Sequence, residues 1–393
     1  MPLDIAAVQQ SLKAEGFDGW LLYDFHGSNP IAARLLGTAN GAKMTTRRWF
    51  YLVPAAGEPR GLVHAIERRT LDALPGEMAV YAGRQQLDAG LTKLLGGIKR
   101  VAMEYSHNCA IPYISRIDGG TLELVRARGV EVESSGDLVQ RFEAVWDAHA
   151  LATHRDASQA LYRVKDRAFE LIAKRARDGE AMTEFAVQQQ MVAWFDEEGL
   201  VSDSPPVVAA QENAGDPHYL PTARRTRTIR KDELVLLDLW AKTKGDADAV
   251  FADITWVGFT GREVPAEMVA AFEAIRQARD AAIGLVQESA GQQHDLRGWQ
   301  VDRAAREVLQ SAGFGERILH RTGHSLGRDV HGNGVHMDDY ETHDDRRLIP
   351  GTGFTIEPGL YFDSFGVRTE INMYYGERDA LVTGPVQTEI VRL

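Results

Sequence analysis

Four carboxylates in this chain fall into two pairs, and each pair brackets a turn. Asp238 and Asp253 lie in LVLLDLWAKTKGDADAVFADITW, with their midpoint between Gly245 and Asp246, the most turn-like stretch of the segment. Glu357 and Glu370 lie in GFTIEPGLYFDSFGVRTEIN, with their midpoint at Asp363–Ser364, again inside the apparent turn. In an antiparallel hairpin, residues equidistant from the turn stand opposite each other with Cβ atoms about 5 Å apart. Asp238 follows Val-Leu-Leu and Asp253 precedes Ile254, so both read as members of buried strands, where an unpartnered carboxylate is costly. Two divalent cations would neutralise four carboxylates, and oxygen ligands with one imidazole suit such ions. The chemistry expected is that of a two-metal hydrolase.

The imidazole would come from HRTGHSLGRDVHGNGVH, which offers His320, His324, His331 and His336. His320 and His324 have a zinc-helix spacing, but Gly323 and Gly327 argue against a helix there. His218, in DPHYLPT, lies in a loop bounded by prolines and reads either as a substrate contact or as a surface histidine. Each signal alone has a plainer reading. Aspartates near a turn are commonly surface residues, Glu357 could simply end a strand before Pro-Gly, and Glu370 could pair with Arg368. The two matched hairpins together outweigh these. A competing motif is Gly323-His324-Ser325-Leu326-Gly327, which fits the G-x-S-x-G nucleophile elbow. That motif needs a helix after the serine and an acid and a histidine well downstream. A Gly-rich stretch follows instead, with His331, His336 and His343 too close. No P-loop or dinucleotide fingerprint is present.

These residues need a scaffold, and 393 of them are enough for two domains. Apolar residues make up 44% and charged residues 25%, ordinary for a globular protein. The formal charge of −12, from 44 basic and 56 acidic residues, disfavours nucleic acid and anionic membrane as partners. No stretch approaches 18 uncharged apolar residues, so no transmembrane helix is expected. The opening MPLDIAAVQQSLKAEGFDGWLL reads as an amphipathic helix running into a strand and lacks the features of a signal peptide. Cys109 is the only cysteine, which excludes a disulfide framework and a thiolate cluster. A cytoplasmic enzyme is the expectation.

Strand patterns GWLLY, RRWFYLVP, RGLVHAI and RVAMEY alternate with helical ones, so the first part reads as an α/β domain. Near residues 145–158 the pattern changes to a long, charged, helix-periodic segment that opens a second domain. The expected division is 1–155 and 156–393. A helix over MTEFAVQQQMVAWFDEEG takes Thr183 as its N-cap, and further helices are expected near 264–289 and 297–312. The second part thus repeats helices followed by a carboxylate hairpin, which points to pseudo-symmetry.

Assembled in order, PHY at 217–219, LLDLW at 236–240, ADIT at 252–255, RTGHSLG at 321–327, VH at 330–331, IEPGLY at 356–361 and RTE at 368–370 resemble the pita-bread metallopeptidases. These are the Xaa-Pro dipeptidases (prolidases), the Xaa-Pro aminopeptidases and their relatives, and the resemblance spans the chain. It implies an α+β architecture, with a creatinase-like N-terminal α/β domain before a pseudo-symmetric pita-bread catalytic domain. It implies metal ligands Asp238, Asp253, His324, Glu357 and Glu370, with Asp253 and Glu370 shared between two divalent ions. Mn²⁺ stands first among these, with Co²⁺ or Zn²⁺ as alternatives. A hydroxide bridging the ions would be the nucleophile, Glu357 would shuttle its proton, His218 and His331 would hold the substrate, and Arg368 would orient carboxylates or the substrate's carboxyl end. The implied reaction is hydrolysis of the bond before proline in a short proline-containing peptide, foremost an Xaa-Pro dipeptide. The alternatives are an Xaa-Pro aminopeptidase acting on longer peptides, a creatinase-like C–N hydrolase and a protein that merely binds peptide. A homodimer is the family's frequent assembly. The chain departs from the family pattern at Trp240, where glycine is common, at Trp256-Val257, where Arg-Thr is common, and in a first hairpin about four residues longer. A bulky Trp240 and a longer hairpin favour dipeptides over long substrates.

Overall fold

The computed structural model describes residues 3–38, 45–180 and 182–393, and the chain divides into two compact units, Met1–Glu143 and Ala144–Leu393. The division differs from the expected 155/156, a position that lies inside the continuous helix Ala148–Asp178. One buried stripe, through Ala157, Leu161, Val164 and Ala168, runs along that helix and keeps it whole.

In the first unit, β1 (Gly19–Asp24), β2 (Trp49–Pro54), β3 (Arg60–His64), β4 (Glu77–Tyr81), β5 (Arg100–Met103) and β6 (Glu131–Ser134) form one mixed sheet in the order β4-β3-β2-β1-β5-β6. The helices are α1 (Ile5–Glu15), α2 (Pro30–Leu35), α3 (Arg84–Leu94), α4 (Gly119–Arg126) and α5 (Gly136–Val139). The sheet is covered on both faces: Trp20 and Leu22 pack with Val8 and Leu12, and Leu21 and Tyr23 with Leu87 and Leu91. That is why GWLLY is apolar without alternation.

Glu104, just past β5, is fully buried and accepts from Trp20 Nε1 at 2.7 Å, Asn29 Nδ2 at 2.8 Å and Ser135 Oγ at 3.1 Å. Burial pushes its carboxyl up to about 7 despite these three donors. In the unfolded chain the same group releases its proton near the ordinary 4.5. Between those values the folded unit binds more protons, so its stability is full below about pH 4.5 and falls as pH rises towards 7. The loss amounts to ~3 kcal/mol at 1.36 kcal/mol per pH unit. Urea denaturation of the wild type followed by tryptophan fluorescence should show this decline between pH 5 and 8. Glu104→Gln should flatten the profile, and an unchanged profile would refute the assignment.

In the second unit, α6 (Ala148–Asp178) and α7 (Glu184–Glu197) precede a first sheet. Thr183 caps α7, its side chain accepting from Ala186 N–H, as expected from sequence. The short strands β7 (Met182–Thr183) and β10 (Thr228–Ile229) pair with each other. The first sheet is built on β11 (Leu234–Thr243) and β12 (Ala252–Phe259), flanked by β8 (Leu200–Val201) and β9 (Val207–Ala210). Helices α8 (Ala266–Gln292) and α9 (Gly298–Ser311) come next. A second sheet follows, from β13 (Ser325–Leu326), β14 (Thr352–Ile356), β17 (Ile371–Tyr375) and β18 (Ala380–Val382), with β15 (Gly359–Tyr361) pairing β16 (Gly366–Arg368). The final strand, β19 (Val391–Arg392), runs parallel to β12. Two helices and a carboxylate ladder thus occur twice in succession. Among the described residues no helix is long and apolar enough to cross a membrane.

Strand alternation sets the site. Val235, Leu237 and Leu239 of β11, with Ala252 and Ile254 of β12, pack against α6 and α7. Leu234, Leu236, Val257 and Phe259 point the other way, into the core built on α8 and α9. Asp238, Trp240, Asp253 and Thr255 share that second face.

Candidate metal centre

The two carboxylate pairs do not have the same register. Glu357 and Glu370 are opposite, as expected: Ile356 pairs Ile371 on one side of them and Gly359 pairs Arg368 on the other. Asp238 and Asp253 are not. Asp238 stands across from Thr255 and Asp253 from Trp240, so the aspartates form a diagonal pair. The expected direct opposition is corrected by a two-residue shift of register, which leaves both side chains on one face at the wider diagonal spacing of about 7–8 Å.

His324 reaches this face from the end of the loop before β13. A side chain at Gly323 would place its Cβ 2.0 Å from Thr355 O, so only glycine lets the loop lie against β14. The His324 N–H donates to Thr355 Oγ1 at 2.9 Å, and its Nδ1 sits 3.2 Å from Ser325 O, which assigns the ring proton to Nδ1. Nε2 then turns its lone pair inward, 3.6 Å from Asp253 Oδ2 and 3.5 Å from Glu357 Oε1. Burial, then the neighbouring His331 and Arg321, hold this imidazole well below its ordinary pKa, so it is neutral and ligand-ready.

Asp253, His324 and Glu370 each offer a ligand atom within 4.8 Å of the others, and all three residues are buried. Among the described residues, Asp253 Oδ1 and Glu370 Oε1 have no hydrogen-bond partner. Burial, then mutual repulsion, raises both carboxyls well above the carboxylate range: Asp253 faces Glu370, Asp238 and Glu357, and Glu370 faces Glu357 and Asp238. Glu357 is pushed up to about 7 by burial, against the pull of Arg368 and Arg321. Asp238 is also raised by burial, opposed by Arg368. Buried carboxylate oxygens without donors, beside a neutral imidazole, are what a divalent cation needs and what a metal-free protein has no other use for.

A second layer fixes these groups. Arg368 donates from Nε to Thr255 Oγ1 at 3.0 Å, from Nη1 to Tyr361 Oη at 2.9 Å and from Nη2 to Asp238 Oδ2. Thr255 Oγ1 in turn donates to Glu370 Oε2 at 2.8 Å. Tyr361 Oη lies 2.7 Å from His320 Nε2, and His320 Nδ1 lies 2.7 Å from Arg321 O, so the tyrosine donates to the histidine. Asn372 clamps the Asp253 backbone, accepting from its N–H at 3.0 Å and donating to its carbonyl. His320, one of the four histidines offered by the sequence as the imidazole, serves here as a support instead, and Thr255, Tyr361 and Asn372 carry no role that the sequence suggests. Thr255 and Tyr361 lie inside the motifs ADIT and IEPGLY, but nothing in their residue types marks them as supports.

The outer histidines are placed differently. The His331 ring packs edge-on to His324 at 4.3 Å between centroids. His218 is exposed on its loop, its backbone N–H held by Asp216 Oδ1 at 3.1 Å, within electrostatic range of His320 and His331. Ser325 is no nucleophile. It is 2% exposed, lies in β13 rather than at a strand–helix elbow, and its Oγ accepts from Gly334 N–H at 3.1 Å.

Comparison with known proteins agrees with this geometry. Residues 152–377 match the model of metallopeptidase family M24. The chain is 27% identical over 327 residues to a probable dipeptidase PepE of Mycobacterium bovis, covering 81% of this chain and 78% of that one. It is 33% identical over 165 residues to an Xaa-Pro dipeptidase of Lactobacillus helveticus, 42% of this chain and 40% of that one. The crystal structure of dipeptidase PepE from Mycobacterium ulcerans superposes with a TM-score of 0.72 at 22% identity, covering 99% of this chain and 96% of that chain. The α+β pita-bread fold expected from the motifs is therefore borne out. The chain belongs to metallopeptidase family M24.

Proposed function

We propose that this metallopeptidase hydrolyses the peptide bond preceding proline in short peptides, Xaa-Pro dipeptides first, using two divalent cations. Asp238 would serve one ion, His324 and Glu357 the other, and Asp253 and Glu370 both. The observation that carries the reading is the pair of buried, partnerless oxygens on Asp253 and Glu370 beside the inward Nε2 of His324. The name of the Lactobacillus relative supports the proline preference. Four carboxylates against one imidazole favour Mn²⁺ over Co²⁺ and Zn²⁺.

Bound divalent cations polarise the scissile carbonyl and bring the pKa of water towards neutrality. Glu357, buried beside His324 Nε2, would take a proton from the attacking water and return it to the leaving amine. His331 and His218, on the outer side of His324, would meet the substrate carbonyl as negative charge develops on it. Arg368 is a positioning residue: Thr255, Tyr361 and Asp238 occupy its three donor groups, so its task is to orient carboxylates.

The test is mass-spectrometric cleavage of a Leu-Pro dipeptide and a Leu-Pro-containing pentapeptide. Chelator-stripped enzyme would be resupplied with Mn²⁺, Co²⁺ or Zn²⁺, with Asp253→Ala as control. Metal-restored cleavage of the dipeptide alone is the expected result. Cleavage of the pentapeptide would make the protein an aminopeptidase, and no cleavage with any metal would redirect the search to a creatinase-like C–N bond.

A further inference from the structure

Trp240 stands directly across the ladder from Asp253 and two residues beyond Asp238 on the same face. Its indole therefore rises beside two proposed metal ligands, at a position where the family commonly has no side chain. The ring is half-buried, packed against the cluster of Phe251, Leu326 and Val330. Its single donor, Nε1, points to Asp203 Oδ1 at 2.7 Å, which fixes both the ring and the carboxylate. Asp203 is exposed, on the segment between β8 and β9, and among the described residues the indole is its only hydrogen-bond partner. The nearby Lys242 ammonium donates to Arg328 O at 2.6 Å and not to Asp203, so it offsets the Asp203 charge only through space and leaves its second oxygen open. The Asp203 charge is felt at His331, whose ring lies on His324.

We infer that Trp240 and Asp203 form the subsite for the side chain on the amino side of the scissile bond, and that they select a basic one. An aromatic wall that begins beside the proposed metal ligands and ends in a carboxylate with one oxygen open matches a lysine or arginine side chain. The methylene stem lies along the indole and the cationic head reaches the open Asp203 oxygen. A neutral side chain of similar length keeps the wall contact and loses the charge contact, and an acidic one meets repulsion. The inference rests on the proposed peptidase reading and names its preferred substrates, Lys-Pro and Arg-Pro.

Steady-state kinetics of the Mn²⁺-loaded enzyme on Lys-Pro and Met-Pro test it. The wild type should favour Lys-Pro in kcat/KM by about fivefold, the size that an exposed ion pair with one aromatic contact supports. Asp203→Asn should bring the ratio to about one, Asp203→Glu should restore it, and Asp203→Lys should shift preference towards Glu-Pro. Equilibrium dialysis of Lys-Pro and Met-Pro against the metal-free wild type and Asp203→Asn should give the same ordering without turnover. A Lys-Pro to Met-Pro ratio that is the same in wild type and Asp203→Asn overturns the subsite. Absence of turnover on every Xaa-Pro substrate overturns the peptidase reading instead, so the two failures are distinguishable.

Discussion

Asp253→Asn is expected to lower kcat/KM by roughly 10³-fold or more, beyond the ~10–100-fold typical of losing an outer-shell partner, and yet to raise the stability of the chelator-treated protein. Both effects come from one cause. Without metal, Asp253 and Glu370 are buried with, among the described residues, an oxygen each unpartnered, and burial and the carboxylates around them push both carboxyls well above their ordinary values. The unfolded chain ionises Asp253 near the ordinary 3.8, so at neutral pH folding costs either its protonation or a buried charge beside like charges; an amide of nearly the same shape avoids both without opening a cavity. A gain of about 2 kcal/mol, or about 5 °C in Tm, is the expected scale. Divalent cation reverses the order. At a hundred times its Kd it stabilises the wild type by about 2.7 kcal/mol, and it does much less for the variant. The metal must displace protons, so its affinity should climb as pH rises through the Glu357 value of about 7. Differential scanning calorimetry with and without Mn²⁺ reads all of this. Early melting of the metal-free variant relative to wild type would contradict the account of the cluster as self-repulsive.

The proposed ligands are legible because their chemistry violates the pattern around them. Asp238 and Asp253 interrupt apolar strands, and a carboxylate in a buried strand requires an explanation that a surface carboxylate does not. The Glu357–Glu370 register could be counted from the turn because the ladder on both sides of it keeps the count. The aspartate register could not, because eight residues separate β11 from β12 and a connection of that length does not fix the pairing. The supports were hidden for a different reason. Thr255, Tyr361 and Asn372 act through one hydroxyl or amide each, and their partners lie far off in sequence: Thr255 meets Glu370 and Asn372 meets Asp253. No local period or motif encodes such a contact. The helix-periodic segment that opens the second unit is legible, but its starting residue is not: periodicity marks α6 as a whole, and the helix, buried from Thr153 to Ala173, belongs entirely to the second unit.

The second large effect is expected far from the carboxylate cluster, at Glu184 in the first turn of α7. This side chain is fully buried, and its carboxylate is the anchor of the loop that carries His218. Oε1 accepts from Ala210 N–H at 2.7 Å and Asn213 Nδ2 at 3.0 Å. Oε2 accepts from Tyr219 Oη at 2.5 Å, Arg227 N–H at 2.9 Å and Asn213 Nδ2 at 3.1 Å. The bonds tie β9, the loop and the strand after it to one helix. Every partner is a donor, so Glu184→Gln must point an amide N–H₂ at another N–H or at the Tyr219 hydroxyl. The hydroxyl can turn to Arg225 O, 3.3 Å away, but Arg227 N–H cannot turn. One buried donor is therefore left unpaired and the charge-assisted bonds are lost, a cost of about 3 kcal/mol. Tyr219 follows His218 directly, so the same change loosens the histidine proposed to meet the substrate. The expected kinetic signature is a fall of about tenfold in kcat/KM with metal affinity unchanged, because among the described residues no proposed metal ligand bonds to Glu184. Urea denaturation, Mn²⁺ titration and Leu-Pro kinetics on the same preparation separate these outcomes. A variant that loses stability but keeps wild-type kcat/KM would show that the loop finds its place without the anchor, and that His218 does not depend on it.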